Sequence, residues 1–213
     1  MEKKIISIEG NIGSGKSSFV RLLKERFSDR LDVCFLQEPV EEWLTTQDSD
    51  GVNILDHYYR DQKRYAFPFQ MMAYISRLVI LKRALETPHY KYIITERCLH
   101  TDKYVFCKML HDEGMIDSIS FQIYNRWFTE FQDMAVPYHY VYLQTDPEVS
   151  KQRVDLRARS GENIPIDYLK KCHDYHEDWL LQNQQLCIIN ANQDTRTNPD
   201  IEYWIQSVKS FIE

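Results

Sequence analysis

The sequence contains no apolar segment long enough to span a membrane, no Arg- and Ser-rich leader and no N-glycosylation motif. Its five cysteines are odd in number and form no CxxC pair, which predicts reduced thiols in a cytoplasmic compartment rather than a disulfide framework. Positive charge is not in excess, because 26 lysines and arginines stand against 32 aspartates and glutamates and give a net charge of −6. This balance argues against a nucleic acid polymer as the main partner, and we expect no association with a membrane.

Linkers, internal repeats and low-complexity segments are also absent from the 213 residues. Apolar residues make up 43% of the chain and charged residues 27%, which is typical of a soluble globular protein. A chain of this length can bury about 70% of the surface that it exposes when unfolded. We therefore predict a single domain over residues 1–213.

Three of the six glycines lie in the segment GNIGSGKS at residues 10–17. An apolar strand pattern precedes this segment and a periodic helix pattern follows it, which is the context of a phosphate-binding P-loop. Backbone N–H groups freed by the glycines would converge on a phosphate, Lys16 would bridge the β- and γ-phosphates, and the Ser17 hydroxyl would bind Mg²⁺. The alternative is a glycine-rich turn that binds no ligand. The predicted nucleotide-binding residues are Gly10, Asn11, Ile12, Gly13, Ser14, Gly15, Lys16, Ser17 and Ser18.

Short apolar runs alternate with longer helical patterns, which predicts an α/β fold: a doubly wound sheet of five parallel strands with helices on both faces. Strands are predicted at residues 5–9, 33–36, 92–95, 140–143 and 187–189. Helices are predicted at residues 17–27, 56–85, 103–113, 118–134, 147–159, 165–182 and 203–212. In such a sheet ligands bind beyond the carboxyl ends of the strands, so the residues that follow each strand are candidates for a site.

Charged residues stand at the ends of two of the predicted strands. Glu38 follows the second strand, where a carboxylate can act as a general base on an acceptor hydroxyl. Glu96 and Arg97 follow the third strand, where Glu96 could reach Mg²⁺ and Arg97 the transferring phosphate. Taken alone, these residues could equally form solvated or structural ion pairs.

A third group of charges follows the fourth strand. Arg153 and Arg157 are four residues apart in a predicted helix, and Arg159 lies where that helix gives way to a loop. Guanidinium groups on a closing lid, at about residues 153–164, would match the charge that spreads over a phosphoryl transition state. The alternative is a basic helix face balanced by Glu148 and Asp155.

Together these segments resemble the deoxynucleoside kinase family, which includes deoxycytidine, deoxyguanosine and mitochondrial thymidine kinases and the insect multisubstrate enzyme. The resemblance runs nearly end to end, through IEGN at 8–11, EPV at 38–40, FPFQ at 67–70, ER at 96–97, RAR at 157–159, YLKKCH at 168–173 and HEDWL at 176–180. It implies a P-loop enzyme that moves the γ-phosphate of ATP, or of another nucleoside triphosphate, with Mg²⁺ to the 5′-hydroxyl of a deoxynucleoside in nucleotide salvage. It also implies a homodimer.

The resemblance assigns roles residue by residue. Glu38 would be the base for the 5′-hydroxyl, Gln70 would form two hydrogen bonds with the nucleobase, and Arg153 would lie against the base of the donor nucleotide. The 3′-hydroxyl would be held by Tyr59 and Glu162. The implied substrate-binding residues are Glu38, Trp43, Leu55, Tyr59, Phe69, Gln70, Arg77, Arg97, Asp102, Phe106 and Glu162; the catalytic ones are Glu38, Arg97, Arg157 and Arg159, and the metal ligands are Ser17 and Glu96.

Base preference is predicted from Arg77 and Asp102. In the family that the chain resembles, Arg and Asp at these places mark enzymes for deoxycytidine and purine deoxynucleosides, whereas thymidine-accepting relatives carry Met and Ala. A paired guanidinium and carboxylate would crowd the thymine methyl group and offer hydrogen bonds to an exocyclic amino or keto group. The alternatives are a structural ion pair and a thymidine or pyrimidine deoxynucleoside kinase. Tyr58, where relatives usually carry Met, is expected to narrow or repolarise the base pocket.

Two further alternatives concern the whole chain and one helix. A P-loop protein can also be a nucleotide-dependent switch, although Glu38 and the lid arginines favour an enzyme. Tyr124, Trp127, Phe128 and Phe131 recur at helical spacing and are expected to pack in a core or, by preference, in a subunit interface.

Overall fold

A computed structural model describes residues 3–132, 136–157, 164–193 and 200–212 of the chain. Two of the predicted site residues, Arg159 and Glu162, lie outside these ranges.

The centre of the fold is one sheet of five parallel strands. They are β1 (Lys4–Glu9), β2 (Val33–Leu36), β3 (Tyr92–Glu96), β4 (Tyr138–Gln144) and β5 (Leu186–Asn190), in the spatial order β2-β3-β1-β4-β5. Each of the five predicted strands is confirmed, with β4 two residues longer at its start than the pattern indicated. Because all neighbours pair in parallel, the carboxyl ends of all five strands meet at one edge of the sheet.

Helices cover both faces of this sheet. They are α1 (Lys16–Arg26), α2 (Val40–Thr45), α3 (Ile54–Arg60), α4 (Gln62–Glu86), α5 (Leu99–Thr101), α6 (Lys108–Asp112), α7 (Ser118–Gln132), α8 (Pro147–Arg157), α9 (Ile166–Leu180) and α10 (Ile201–Ile212). A π-helical segment, Asp102–Cys107, joins α5 to α6. The predicted doubly wound α/β architecture is confirmed.

The helix predicted at residues 56–85 is wrong in one respect, because it is two helices. Asp61 ends α3 with its N–H bonded to the carbonyl of His57 and begins α4 with its carboxylate accepting from the N–H of Arg64. A single residue thus caps two helices without interrupting the apolar pattern. Helix α2 was missed; it starts after Pro39 and carries Glu41 and Glu42 in its first turn, where the helix dipole favours negative charge.

The core consists of two layers that share the strands. Ile5 and Ile93 face a cluster that includes Tyr74 of α4 and Tyr124 and Phe128 of α7. Neighbouring strand residues point the other way, onto a second cluster that includes Phe19 of α1 and Trp204 of α10. This burial on both faces explains why the strands are continuous apolar runs.

The aromatic residues of α7 do not share one environment. Tyr124 and Phe128 are buried against Tyr74, so the interface interpretation is wrong for these two. Trp127 and Phe131 are exposed and stack on each other. Of the four aromatic residues of α7 named above, Trp127 and Phe131 remain candidates for an interface.

In the part of the chain that the structure describes, no helix is both long enough and apolar enough to cross a membrane.

Candidate active site

A cavity of about 1190 Å³ opens at the carboxyl edge of the sheet. Its walls bring together residues as distant in the chain as Ile12 of the P-loop and Tyr168 of α9. The predicted site residues that line it are Ile12, Gly13, Gly15, Lys16, Ser17, Ser18, Glu38, Trp43, Leu55, Tyr59, Phe69, Gln70, Arg77, Glu96, Arg97, Asp102, Phe106, Arg153 and Arg157. Asn11 and Ser14 are buried beneath this surface, as is the backbone at Gly10.

The P-loop closes over the end of β1. Gly10 has φ +144°, and a Cβ atom there would lie 2.7 Å from the carbonyl oxygen of Leu143. Gly13 has φ +84°, and its Cβ would lie 2.5 Å from the carbonyl oxygen of Ser150. Both positions therefore require glycine for backbone conformation and for space. Helix α1 begins directly after the loop, at Lys16. The N–H groups of its first turn have no partner within the helix and face the cavity.

Lys16 is buried and donates a hydrogen bond of 2.6 Å to the carbonyl oxygen of Asn11. Burial, with a further contribution from Arg97, outweighs the opposing effect of nearby glutamates and lowers the pKa of Lys16 from 10.5 to about 7. The negative charge around Lys16 is therefore too small to offset the cost of burying its ammonium group beside Arg97. A bound phosphate would supply that charge.

Ser17 and Glu96 meet beside Lys16, and the Ser17 hydroxyl donates a 2.5 Å hydrogen bond to Glu96 Oε1. One residue comes from the start of α1 and the other from the end of β3. Hydroxyl and carboxylate oxygens are the ligands that Mg²⁺ prefers, and this ion usually completes its shell with phosphate oxygens and water. The pair fits such an ion.

Glu38 lies at the tip of β2 between two guanidinium groups. Its Oε1 accepts from Arg97 Nη1 at 2.9 Å and from Arg77 Nη2 at 3.1 Å. Burial alone would raise the pKa of Glu38, but Arg97 and Arg77 outweigh it and lower the pKa to about 2. The carboxylate is therefore ionised at neutral pH and held in one orientation.

The sequence of the chain matches that of a known protein family. The family model for deoxynucleoside kinases matches residues 6–213. The chain belongs to the deoxynucleoside kinase family.

Individual relatives agree with this membership. The kinase is 40% identical over 186 residues to a protein of fowlpox virus named a probable deoxycytidine kinase, covering 85% of this chain and 74% of the relative. It is 32% identical to mouse deoxycytidine kinase, and the match covers 98% of this chain and 91% of the mouse protein. It is 30% identical to the mitochondrial deoxyguanosine kinase of Xenopus laevis, covering 93% and 85%. The predicted family and enzyme class are confirmed, and the switch interpretation is set aside.

Arg77 and Asp102 of the kinase form a buried ion pair that is also part of the cavity wall. Arg77 Nε donates to Asp102 Oδ2 at 2.9 Å, and Arg77 Nη1 donates to the carbonyl oxygen of Glu96 at 2.8 Å. Burial by itself would lower the pKa of Arg77, but Asp102 and Glu38 raise it, so the guanidinium stays charged. The structural and functional interpretations of the pair are thus compatible, because Arg77 pairs with Asp102 and also contacts Glu38 and lines the cavity.

An aromatic pocket adjoins this pair. The ring of Phe69 packs edge-on against Trp43 with centroids 5.3 Å apart, and Trp43 is held by a 2.9 Å hydrogen bond from its Nε1 to Ser76 Oγ. Gln70 is buried with its Oε1 lacking a hydrogen-bond partner among the described residues. A buried amide oxygen without a partner is costly, and a hydrogen-bond donor on a ligand would satisfy it.

Two tyrosines line this pocket besides the predicted substrate-binding residues: Tyr58, which was expected to narrow or repolarise the base pocket, and Tyr168, which was not predicted. The ring of Tyr58 lies 4.7 Å from that of Phe69, and its hydroxyl is 2.8 Å from the hydroxyl of Tyr168 on α9. Both line the cavity. Tyr58 carried a signal in the sequence, as a departure from the family pattern, but its contact with a residue 110 positions away carried none.

Arg153 does not project freely from the lid region. Its guanidinium donates to the carbonyl oxygens of Ala191 at 2.9 Å and Asn192 at 3.0 Å, and it lies 3.4 Å from that of Ser14. These contacts tie α8 to the P-loop and to the end of β5. Arg157, one turn further along α8, is exposed and lines the cavity.

Proposed function

We propose that residues 1–213 form a single kinase domain that transfers the γ-phosphate of ATP, or of another nucleoside triphosphate, to the 5′-hydroxyl of a deoxynucleoside in nucleotide salvage. The observation that carries this proposal is the position of Glu38. Its carboxylate lines the same cavity as Lys16 and Ser17 of the P-loop. An acceptor hydroxyl at Glu38 would therefore face a phosphate held by the P-loop.

Glu38 is the proposed general base. It accepts the proton of the 5′-hydroxyl as that oxygen forms a bond to the γ-phosphorus, while the bond to the β–γ bridging oxygen breaks and the nucleoside diphosphate leaves. The two guanidinium groups keep the ligand-free carboxylate ionised but weakly basic. A triphosphate bound near Arg97 and Lys16 would counter their charge and raise the pKa of Glu38 towards that of an effective base.

The donor is proposed to lie along the P-loop. Backbone N–H groups at the start of α1 and the ammonium group of Lys16 would bind the β- and γ-phosphates. Ser17 and Glu96 would hold Mg²⁺, which when bound would neutralise charge on the phosphate oxygens. Arg97, whose Nε is buried without a partner in the described part of the chain, has a donor to spare for the transferring phosphate.

We propose that Arg157 and Arg159 act from the lid and that Arg153 lies against the base of the donor nucleotide. Tyr59 and Glu162 are proposed to hold the 3′-hydroxyl. Arg157 lines the cavity where a lid residue is expected. Arg153 lies beside the P-loop, where the base of the donor nucleotide could pack against it. Tyr59 also lines the cavity. Arg159 and Glu162 are proposed from the sequence resemblance alone.

We propose deoxycytidine or purine deoxynucleosides as the acceptors. The unsatisfied oxygen of Gln70 can accept from an exocyclic amino group, and Arg77, which lines the same cavity, offers a guanidinium already oriented by Asp102. Of the named relatives, one is called a probable deoxycytidine kinase, one a deoxycytidine kinase and one a deoxyguanosine kinase. The rigid Tyr58 ring takes up space in the pocket that a flexible Met side chain, which relatives usually carry there, would leave adaptable.

A homodimer is proposed from the surface of α4 and α7. Ile75 and Val79 on α4 and Ile123, Trp127 and Phe131 on α7 are exposed, and the two helices pack against each other. Apolar residues clustered on neighbouring helices are typical of a protein–protein interface.

The experiment that tests this function is an initial-rate assay of ATP consumption with each of the four natural deoxynucleosides and without an acceptor. We expect turnover with deoxycytidine, deoxyguanosine or deoxyadenosine, formation of the 5′-monophosphate, and little hydrolysis without an acceptor. Equal ATP hydrolysis with and without acceptors would overturn the proposal. A clear preference for thymidine would overturn the base preference but not the kinase activity.

A further inference from the structure

Arg97 adopts a backbone conformation that is rare for its residue type. Its φ is +59°, in the left-handed region that residues other than glycine seldom occupy. Such a conformation persists only where the surroundings hold it in place. It directs the guanidinium onto Glu38 at 2.9 Å and over the ring of Phe106, with 5.1 Å between the guanidinium carbon and the ring centroid.

The peptide on the N-terminal side of Arg97 is held by β1. The N–H of Arg97 donates to the carbonyl oxygen of Ile8 at 3.0 Å, which continues the ladder between β1 and β3 by one residue. This bond fixes the peptide that precedes the Cα of Arg97. The conformation of Arg97 also depends on the peptide that follows, between Arg97 and Cys98.

That next peptide is held by a side-chain network that ends at Glu9. The N–H of Cys98 donates to Thr101 Oγ1 at 3.3 Å, and the Thr101 hydroxyl donates to Glu9 Oε2 at 2.6 Å. Glu9 is itself fixed through its Oε1, which accepts from Ser7 Oγ at 2.5 Å. Glu9 and Thr101 are both fully buried, so no solvent competes for these bonds.

We propose, on the basis of the phosphate-binding role proposed above for Arg97, that Thr101 and Glu9 are positioning residues for phosphoryl transfer. The last two residues of β1 hold the two peptides that flank Arg97. Ile8 bonds to the Arg97 N–H directly, and Glu9 acts on the Cys98 N–H through Thr101. Because Glu9 immediately precedes Gly10, the same residue connects the P-loop to the turn that carries Arg97. The phosphate-binding loop and the arginine that acts on the phosphate thus share one buried anchor.

Replacing Thr101 with Val tests this anchor, because Val keeps the shape of Thr and removes the hydroxyl. Loss of a charge-assisted hydrogen bond that orients a catalytic group should lower kcat about tenfold or more. The KM for the deoxynucleoside should change by less than about threefold, since the base pocket is not altered. Thr101→Ser restores the hydroxyl and should recover most of the kcat.

Thr95→Val is the matched control. Thr95 is also buried, and its hydroxyl donates to Ser7 Oγ at 3.2 Å, in the same network but not at the turn. Its kcat should stay within about twofold of the wild type, because the lost bond does not orient Arg97. Rates are measured well below the unfolding midpoint of every variant, so that loss of stability does not enter kcat. An equal kcat in the two Val variants, or no recovery in Thr101→Ser, would overturn the proposal.

A double-mutant cycle with Arg97→Lys decides whether Thr101 acts through Arg97. We expect Thr101→Val to lower kcat by less than about threefold once Arg97 has been replaced, because the two changes remove the same contribution. An undiminished effect in the Arg97→Lys background would overturn the proposal. A normal kcat in Arg97→Lys alone would remove Arg97 from the mechanism, and the proposed anchoring role with it. If kcat is lowered in Arg97→Lys but normal in Thr101→Val, the anchoring role is overturned and the role of Arg97 in phosphate binding stands.

Discussion

Replacing Glu38 with Gln removes the negative charge between Arg77 and Arg97 and leaves a side chain of nearly the same size. The lowering of the Glu38 pKa from 4.5 to about 2 corresponds to about 3 kcal/mol of preference for the charged form in the folded protein. Gln retains an acceptor oxygen for hydrogen bonds, so this figure is an upper bound on the loss of stability at neutral pH. The catalytic cost is separate, because an amide cannot accept the proton of the 5′-hydroxyl.

We therefore expect Glu38→Gln to lower kcat by about 10²-fold or more, which is the usual size of a general-base contribution. Binding of the deoxynucleoside, measured by isothermal titration calorimetry, should change little. Glu38→Asp is the matched control: it keeps the charge but withdraws the carboxylate by one methylene, so it should keep more of the ionic stabilisation while still losing rate. A kcat near the wild-type value in Glu38→Gln would remove Glu38 from the mechanism.

The pH dependence of stability gives a second test of the same substitution. The pKa of Glu38 in the folded protein lies below its unfolded value, so its stabilisation is fully present above about pH 5 and is lost as the pH falls towards 2. Wild type and Glu38→Gln should thus differ most in free energy of unfolding at neutral pH and converge in acid. Urea unfolding at pH 7, 5 and 3 measures this. A difference that stays constant over this range would contradict the electrostatic account of Glu38.

Three further predictions concern the donor, the base and the interface. Because burial lowers the Lys16 pKa to about 7, binding of a triphosphate should be accompanied by uptake of a proton at Lys16 and should weaken as the pH rises from about 7 to 9. Calorimetry in buffers of different ionisation enthalpy should detect this proton uptake. Its absence would contradict the proposed contact between Lys16 and the phosphates. Replacing Arg77 with Met and Asp102 with Ala together should raise kcat/KM for thymidine relative to deoxycytidine, and an unchanged ratio would exclude the pair as a specificity filter. Trp127→Glu should dissociate the proposed homodimer into monomers in sedimentation velocity, and a mass unaffected by this charge would place the interface elsewhere.

Most of the fold follows from local patterns. Parallel strands buried on both faces are apolar runs, and the P-loop links the first of them to a helix, so strand positions and layer order were predictable. The errors lie where a local signal was absent or ambiguous. Asp61 ends one helix and begins the next within a continuous apolar pattern, and α2 is too short to show a periodicity.

The site was predictable to the extent that topology places it. Glu38, Glu96 and Arg97 stand at strand ends, and the parallel sheet brings strand ends to one edge. Contacts between residues distant in the sequence were not predictable, because no local sequence pattern indicates which of them meet. The Tyr58–Tyr168 pair and the Glu9–Thr101 bond, which links residues 92 positions apart, belong to this class.

The central claim is that Glu38 reaches the 5′-oxygen of the acceptor while the P-loop aims the γ-phosphorus at that same oxygen. A crystal structure of the protein with deoxycytidine and a non-hydrolysable ATP analogue measures this directly. We predict a Glu38 carboxylate oxygen within about 3 Å of the 5′-oxygen, and the γ-phosphorus on the far side of that oxygen. A Glu38 side chain turned away from the sugar, too distant even for a bridging water, would contradict the account.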